Sequence, residues 1–207
     1  MKKYLILSIL ALVALPVVAS AQAAHEYSSL VEKTVNYKNW TLPDLKTEKP
    51  EDLRQLMAGK KLVMIVYFAP WCGNWKYEAP IAAKLYEKYK DKGFQVIGVG
   101  EYASRAEVVK FFGEAGPPYP VVTESESKED RLKTPHYQYR QLTGDKRNWG
   151  SPWNIFLEPD KVSSEGEVLT ETAWVVNGEL IEEEVDKFIA SKVAPSTSAA
   201  LLQPCKN

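Results

Sequence analysis

The stretch Tyr67–Pro80, YFAPWCGNWKYEAP, sets one cysteine, Cys72, between an apolar run and a helix-forming segment. Backbone N–H groups at a helix start favour negative charge. A thiolate is the nucleophile of disulfide exchange. A dithiol motif would carry a second cysteine three residues on, but Trp75 stands there. Lys76, four residues after the thiol, adds positive charge if its side chain turns back toward the helix start. The other cysteine, Cys205, is near the chain end. The two can pair with each other, pair with other molecules, or stay free. His25 and His136 are isolated, and two cysteines with two histidines at these spacings do not read as a zinc site. No metal or cofactor is expected.

The elements that must position Cys72 follow from patterning. Lys61–Ala69, KLVMIVYFA, is a short apolar β-rich run, the mark of a strand buried on both faces. After PWCGN, Ile81, Leu85 and Tyr89 recur at helical spacing, and Gly93 suits the helix end. Pro80 inside that pattern predicts a kink or a break. Phe94–Gly100 reads as a second buried strand. Ser104 with Glu107 reads as a capping box for the next helix. Tyr119–Glu124 is a third strand. Strand, helix, strand, helix, strand is an α/β layout with right-handed crossovers. Ser125–Gly150 is charged, with one helical piece at His136–Leu142. It reads as a solvated surface insertion, or else as a partner-recognition element. Pro152–Pro159 and Val168–Gly178 read as an antiparallel hairpin. A helix within Glu179–Val193 closes the domain, with Leu180, Val185, Phe188 and Ile189 on its apolar face. Before Asp52 the chain is polar with scattered aromatics. Pro50 there suits the first turn of a short helix and Gly59 its end.

Four of the six tryptophans, Trp71, Trp75, Trp149 and Trp153, stand around two stretches, APWCGNW and NWGSPW. They suggest an apolar substrate platform, although core packing is the commoner fate of any one tryptophan. The chain has 207 residues and a formal net charge of −1 without a long basic run, which argues against nucleic-acid binding. Residues 1–23 carry two lysines, an apolar run and two overlapping A-x-A sites, the pattern of a secretory signal peptide. Membrane insertion is expected only if that signal is uncleaved. Export, with the bacterial periplasm as destination, places the cysteines where thiols are paired or reactive. The expected organisation is signal 1–23, N-terminal extension 24–39, domain 40–193 and flexible tail 194–207.

The order of elements resembles the thioredoxin-like fold: a central mixed sheet flanked by helices, with a charged insertion before the cis-proline strand. More narrowly, the chain resembles the exported TlpA/ResA-like thiol-disulfide oxidoreductases, which overlap with the AhpC/TSA-related redoxins. The resemblance rests on TLPDL, FAPWCGNWKYEAP, GSPWNIFLEPD and GELIEEEVDKFI. It implies that Cys72 is the attacking cysteine and Pro152 the cis-proline facing it. It also implies that Ser151 backbone pairs with an extended substrate, and that Glu78 is the family's acid beyond the motif, placed to accept or relay protons. Trp75 departs from the pattern at the resolving position. The implied function is thiol-disulfide exchange through Cys72 alone, with protein or small-molecule thiols and disulfides as partners and Cys205 as a possible resolving thiol. Two alternatives stand beside it. One is a thiol peroxidase, against which Ala69 counts, because related peroxidases carry Thr or Ser at that position. The other is a redox-inactive binding module.

Overall fold

The computed structural model describes residues 25–194. The signal-like segment and the tail with Cys205 lie outside the described residues. In chain order the elements are β1 (Tyr27–Ser28), β2 (Val31–Lys38), β3 (Thr41–Pro43), β4 (Pro50–Asp52), α1 (Leu53–Met57), β5 (Leu62–Phe68), α2 (Gly73–Tyr89) and β6 (Phe94–Gly100). Then come α3 (Arg105–Phe112), β7 (Val121–Thr123), α4 (Pro135–Thr143), β8 (Trp153–Leu157), β9 (Val168–Val176), β10 (Glu179–Leu180) and α5 (Glu182–Val193).

The apolar run at β5 is the axis of a six-stranded sheet, ordered β2-β9-β8-β5-β6-β7. β5 runs parallel to β6 and antiparallel to β8. All seven of its residues are buried. Successive side chains on a strand point to opposite faces. Leu62, Met64, Val66 and Phe68 therefore pack with Leu85 of α2 and Val185 and Ile189 of α5. Val63, Ile65 and Tyr67 pack on the other side with Leu53, Met57, Tyr139 and Trp153. Both faces are covered, which explains the unbroken apolar run. The expected hairpin is present as β8 and β9. Ser104 caps α3 in a full capping box with Glu107.

Four features differ from the sequence reading. First, the sheet begins before residue 40. β2 pairs antiparallel with β9 as an edge strand. It buries only Val35 and Tyr37 fully, so its polar outer face hid it. Second, α2 passes through Pro80 as one helix. Lys76 and Pro80 are both exposed, so the missing backbone bond falls on the solvent side. Third, residues 125–150 are not simply a solvated insertion. Helix α4 starts at Thr134-Pro135 and buries His136, Tyr139, Arg140 and Thr143. Tyr139 packs on Tyr37 of β2, ring centroids 4.7 Å apart. Fourth, α5 starts at Glu182, and Pro50 lies in β4 with Asp52 capping α1. Glu179 and Leu180 instead form β10, which pairs with Tyr27 and Ser28.

Leu85 is the clearest anchor of α2 on the sheet, at 1% exposure. Leu85→Ala is expected to cost about 3 kcal/mol of stability from lost burial and residual cavity. A urea titration checks this through a lower midpoint at unchanged slope.

Candidate active site

The C-terminal end of β5 and the start of β8 meet because the strands pair antiparallel, with Tyr67 opposite Trp153. The loop leaving β5 carries Ala69–Cys72, and the loop entering β8 carries Gly150–Pro152. The Ser151–Pro152 peptide bond is cis. Two contacts join the loops. Ala69 N–H donates to Ser151 Oγ at 2.9 Å, and Cys72 Sγ donates to the Ser151 carbonyl at 3.1 Å. Cys72 is the N-cap of α2, in extended backbone conformation, and no side chain caps that helix start. Cys72 is half-buried and carries no disulfide to another described residue. A half-exposed thiol at a helix start, beside a cis-proline, has the geometry for attack on an approaching sulfur.

The four tryptophans do not form one platform. Trp75 and Trp153 are fully buried. Trp75 stacks on Phe68 with ring centroids 4.5 Å apart, and Phe111 lies 5.9 Å away. It fills the core under the Cys72 turn. Trp153 packs among Tyr67, His136 and Tyr139, and its Nε1–H donates to Asn177 Oδ1 at 2.8 Å. Only Trp71 and Trp149 are partly exposed, and they meet edge-on at 5.0 Å. Trp71 Nε1–H donates to the Tyr102 carbonyl at 3.0 Å. Lys128 lies 4.5 Å over the Trp71 ring, and Arg131 lies 4.9 Å over Trp149. The rim beside the cysteine is thus two rings capped by two cations. Lys76 is exposed on α2.

Glu78 is fully buried, and its Oε2 accepts the Leu180 N–H at 2.7 Å. Its other oxygen has no partner. Burial pushes its carboxyl up to about 8, offset only in part by that N–H bond. Glu78 therefore holds a proton at neutral pH.

A second buried polar group lies behind the rim and was not legible in the sequence. Glu101 is fully buried and accepts from Ser125 Oγ. Burial and neighbouring Glu124 push Glu101 well above the usual carboxylate range, and burial raises Glu124 too. The Tyr102 hydroxyl bonds His136 Nδ1 at 3.0 Å, and His136 stacks on Tyr67 at 4.8 Å. Burial, then the Arg140 and Arg147 charges, hold His136 well below its ordinary value, so it is neutral. Arg140, fully buried, pairs with Asp145 at 3.0 Å. Gly150 sits at φ 58°, and a Cβ there would lie 1.7 Å from Arg140 Nε. Only glycine fits between this arginine and the cis-proline. Charge density made this segment read as surface; the one usable signal was the Thr134-Pro135 start of α4 with Gly144 at its end.

A thiol at a helix start, bonded to the residue before a cis-proline, on a sheet of this order, defines a thioredoxin-like protein. Comparisons agree. Residues 31–131 match the redoxin family. Thioredoxin-2 of Saccharomyces cerevisiae is 43% identical over 56 residues, 26% of this chain and 54% of that protein. The thiol-disulfide oxidoreductase ResA of Bacillus thuringiensis is 30% identical over 90 residues, 44% of this chain and 50% of that protein. The chain thus spans about half the length of the curated relatives it matches. Among solved structures, the thioredoxin domain of a thiol-disulfide oxidoreductase from Bacteroides vulgatus superposes with TM-score 0.51 at 25% identity, over 78% of this chain and 99% of that one. A DsbE-type protein from Chlorobium tepidum superposes with TM-score 0.54 at 24% identity, over 78% and 98%. The fold is thioredoxin-like, and over part of its length the chain is similar to the redoxins and to ResA.

Glu78 gives the fold a signed pH dependence. Its folded value, about 8, lies above its ordinary 4.5. The unfolded chain therefore releases this proton first, and stability falls as pH rises between those values. The slope from this group is at most about 1.4 kcal/mol per pH unit. Glu78→Gln should remove that share, with urea midpoints at several pH values as the check. An unchanged slope would contradict the assignment.

Proposed function

We propose that this protein is an exported thiol-disulfide oxidoreductase that works through Cys72 as a single thiol. The observation that carries this reading is the Cys72 Sγ bond to the Ser151 carbonyl at the cis-proline, at the start of α2. Similarity to ResA over 90 residues supports the chemistry. The signal-like segment at residues 1–23 supports export to the periplasm.

The cycle balances without an internal second thiol. The Cys72 thiolate attacks a disulfide R–S–S–R′. A Cys72–S–S–R bond forms, and R′–S⁻ leaves. A thiolate R″–S⁻ then attacks the R sulfur of the mixed disulfide. It leaves as R–S–S–R″, and Cys72 returns as thiolate. R″–S⁻ comes from a second molecule. Cys205, which lies outside the described residues, would act differently, attacking the Cys72 sulfur so that R–S⁻ leaves and a Cys72–Cys205 disulfide forms, which an external thiol then reduces. Trp75 occupies the position of an internal resolving cysteine, so the mixed disulfide persists until that second thiol arrives. Trp71 and the Ser151 backbone form the docking edge for a protein or small-molecule thiol or disulfide, and exposed Lys76 adds positive charge to the same helix start. Glu78 is the proton reservoir within α2.

Cys72→Ser should abolish disulfide-exchange activity, at least about a hundredfold, because the remaining groups offer no nucleophilic sulfur at this site. Native alkylation followed by mass spectrometry should place rapid labelling on Cys72. Unchanged exchange in Cys72→Ser would overturn the reading. An inert Cys72 would favour the binding-module alternative, for which the buried Trp75 is the specific support.

A further inference from the structure

Arg147 comes from the segment that reads as a surface insertion, yet its side chain is only 16% exposed. Every part of its guanidinium is engaged. Nε donates to Asp145 Oδ1 at 3.0 Å, and Nη2 to Asp145 Oδ2 at 2.8 Å. Nη2 also donates to the Pro152 carbonyl at 2.8 Å. Nη1 reaches Glu26 Oε2 at 3.3 Å. The same Glu26 oxygen accepts from Asn74 Nδ2 at 2.8 Å. Asn74 is buried in the first turn of α2, two residues after Cys72. Asp145 is itself fixed on its other side by buried Arg140.

These contacts run in one line through the site. On one side of Cys72 stands the cis-proline loop, which Arg147 grips directly. On the other stands the start of α2, which it reaches through Glu26 and Asn74. A planar guanidinium holds two directions at once, which a single ammonium cannot do. Three of its bonds and the pairing with Arg140 are partly or fully buried, where ion pairs are not washed out by solvent.

We propose that Arg147 is the positioning residue of the Cys72 site, setting the separation between the Ser151–Pro152 carbonyls and the first turn of α2 that carries the thiol. This rests on the reading of Cys72 as a reactive thiol. The charged groups facing the guanidinium are Asp145 and Arg140 from the α4 side and Glu26 from the N-terminal segment. Glu78 of α2 and His136 of α4 also feel its charge. Removing the cation leaves Glu26 without its ion-pair partner and Asp145 with Arg140 alone, and it frees the proline loop.

The test measures two quantities in full-length wild type, Arg147→Gln, Arg147→Lys and Glu26→Gln. One is the rate of Cys72 alkylation by neutral iodoacetamide at pH 7. The other is the titration midpoint of Glu78, read by carboxyl carbon NMR. Circular dichroism shows whether each variant is folded. In folded Arg147→Gln, alkylation should slow by roughly threefold or more, and the Glu78 midpoint should rise above its wild-type value, because a nearby cation is gone. Arg147→Lys should restore the Glu78 midpoint but not the alkylation rate, since it returns charge without the fork. Folded Arg147→Gln with both quantities unchanged overturns the proposal. If Arg147→Gln does not fold, the exposed-side variant Glu26→Gln decides. Slower alkylation at unchanged thermal stability supports positioning, and an unchanged rate overturns it. Failure of the underlying reading is seen separately, as an unreactive Cys72 in wild type, and it removes this proposal with it.

Discussion

The hydrogen bond from Cys72 to the Ser151 carbonyl spans 79 residues of sequence. It exists only if two loops are held to within a fraction of an ångström. The sheet supplies the first constraint, because β5 and β8 are neighbours and run antiparallel. The end of one strand and the start of the other must then lie side by side. The contact from Ala69 N–H to Ser151 Oγ supplies the second, by tying the two loops together beside the thiol. Burial on both faces of β5 makes the first constraint stiff, since close-packed interiors resist small displacements.

On the proposed single-thiol reading, Trp75 keeps the shape of the frame without supplying a second thiol. The site that would hold a resolving cysteine lies over the core, against Phe68 and Phe111. An indole there adds a large buried apolar surface. It contributes nothing to exchange of sulfur. Cys72 is bordered by Trp71 and Trp149 with their two cations, and behind them lies a set of buried carboxyls, a neutral histidine and buried arginines. Those polar groups are linked by hydrogen bonds such as Tyr102–His136, Ser125–Glu101 and Arg140–Asp145, which tie the region together at low dielectric. The segment 125–150 is therefore part of the site's support.

Much of this fold was readable because its key signals are local. β5, β6 and the capping box of α3 each carry their own pattern. The cis bond at Ser151-Pro152 and its place facing Cys72 were expected only through the resemblance to the thioredoxin-like fold. β2 was not, because an edge strand with one buried face shows only Val35 and Tyr37 as inward residues. Arg140 and Arg147 were not, because a charged arginine reads as surface unless its partners are known. Asp145 lies within five residues of both, but the local charge density hid that pairing, and Glu26 lies 121 residues from Arg147. Trp75 and Trp153 were open between a substrate platform and the core, because their position near Cys72 suggested contact with substrate while tryptophan most often packs inside. Their burial follows instead from where α2 and β8 point them.

The most direct test of single-thiol chemistry uses the Cys205→Ser variant, mixed with an aromatic disulfide that releases a coloured thiolate. The account predicts rapid release of one thiolate per chain and a stable mixed disulfide on Cys72, visible as an added mass. Release of the second thiolate should wait for an external thiol. Slow or absent release, or a second thiolate released without added thiol, would contradict it.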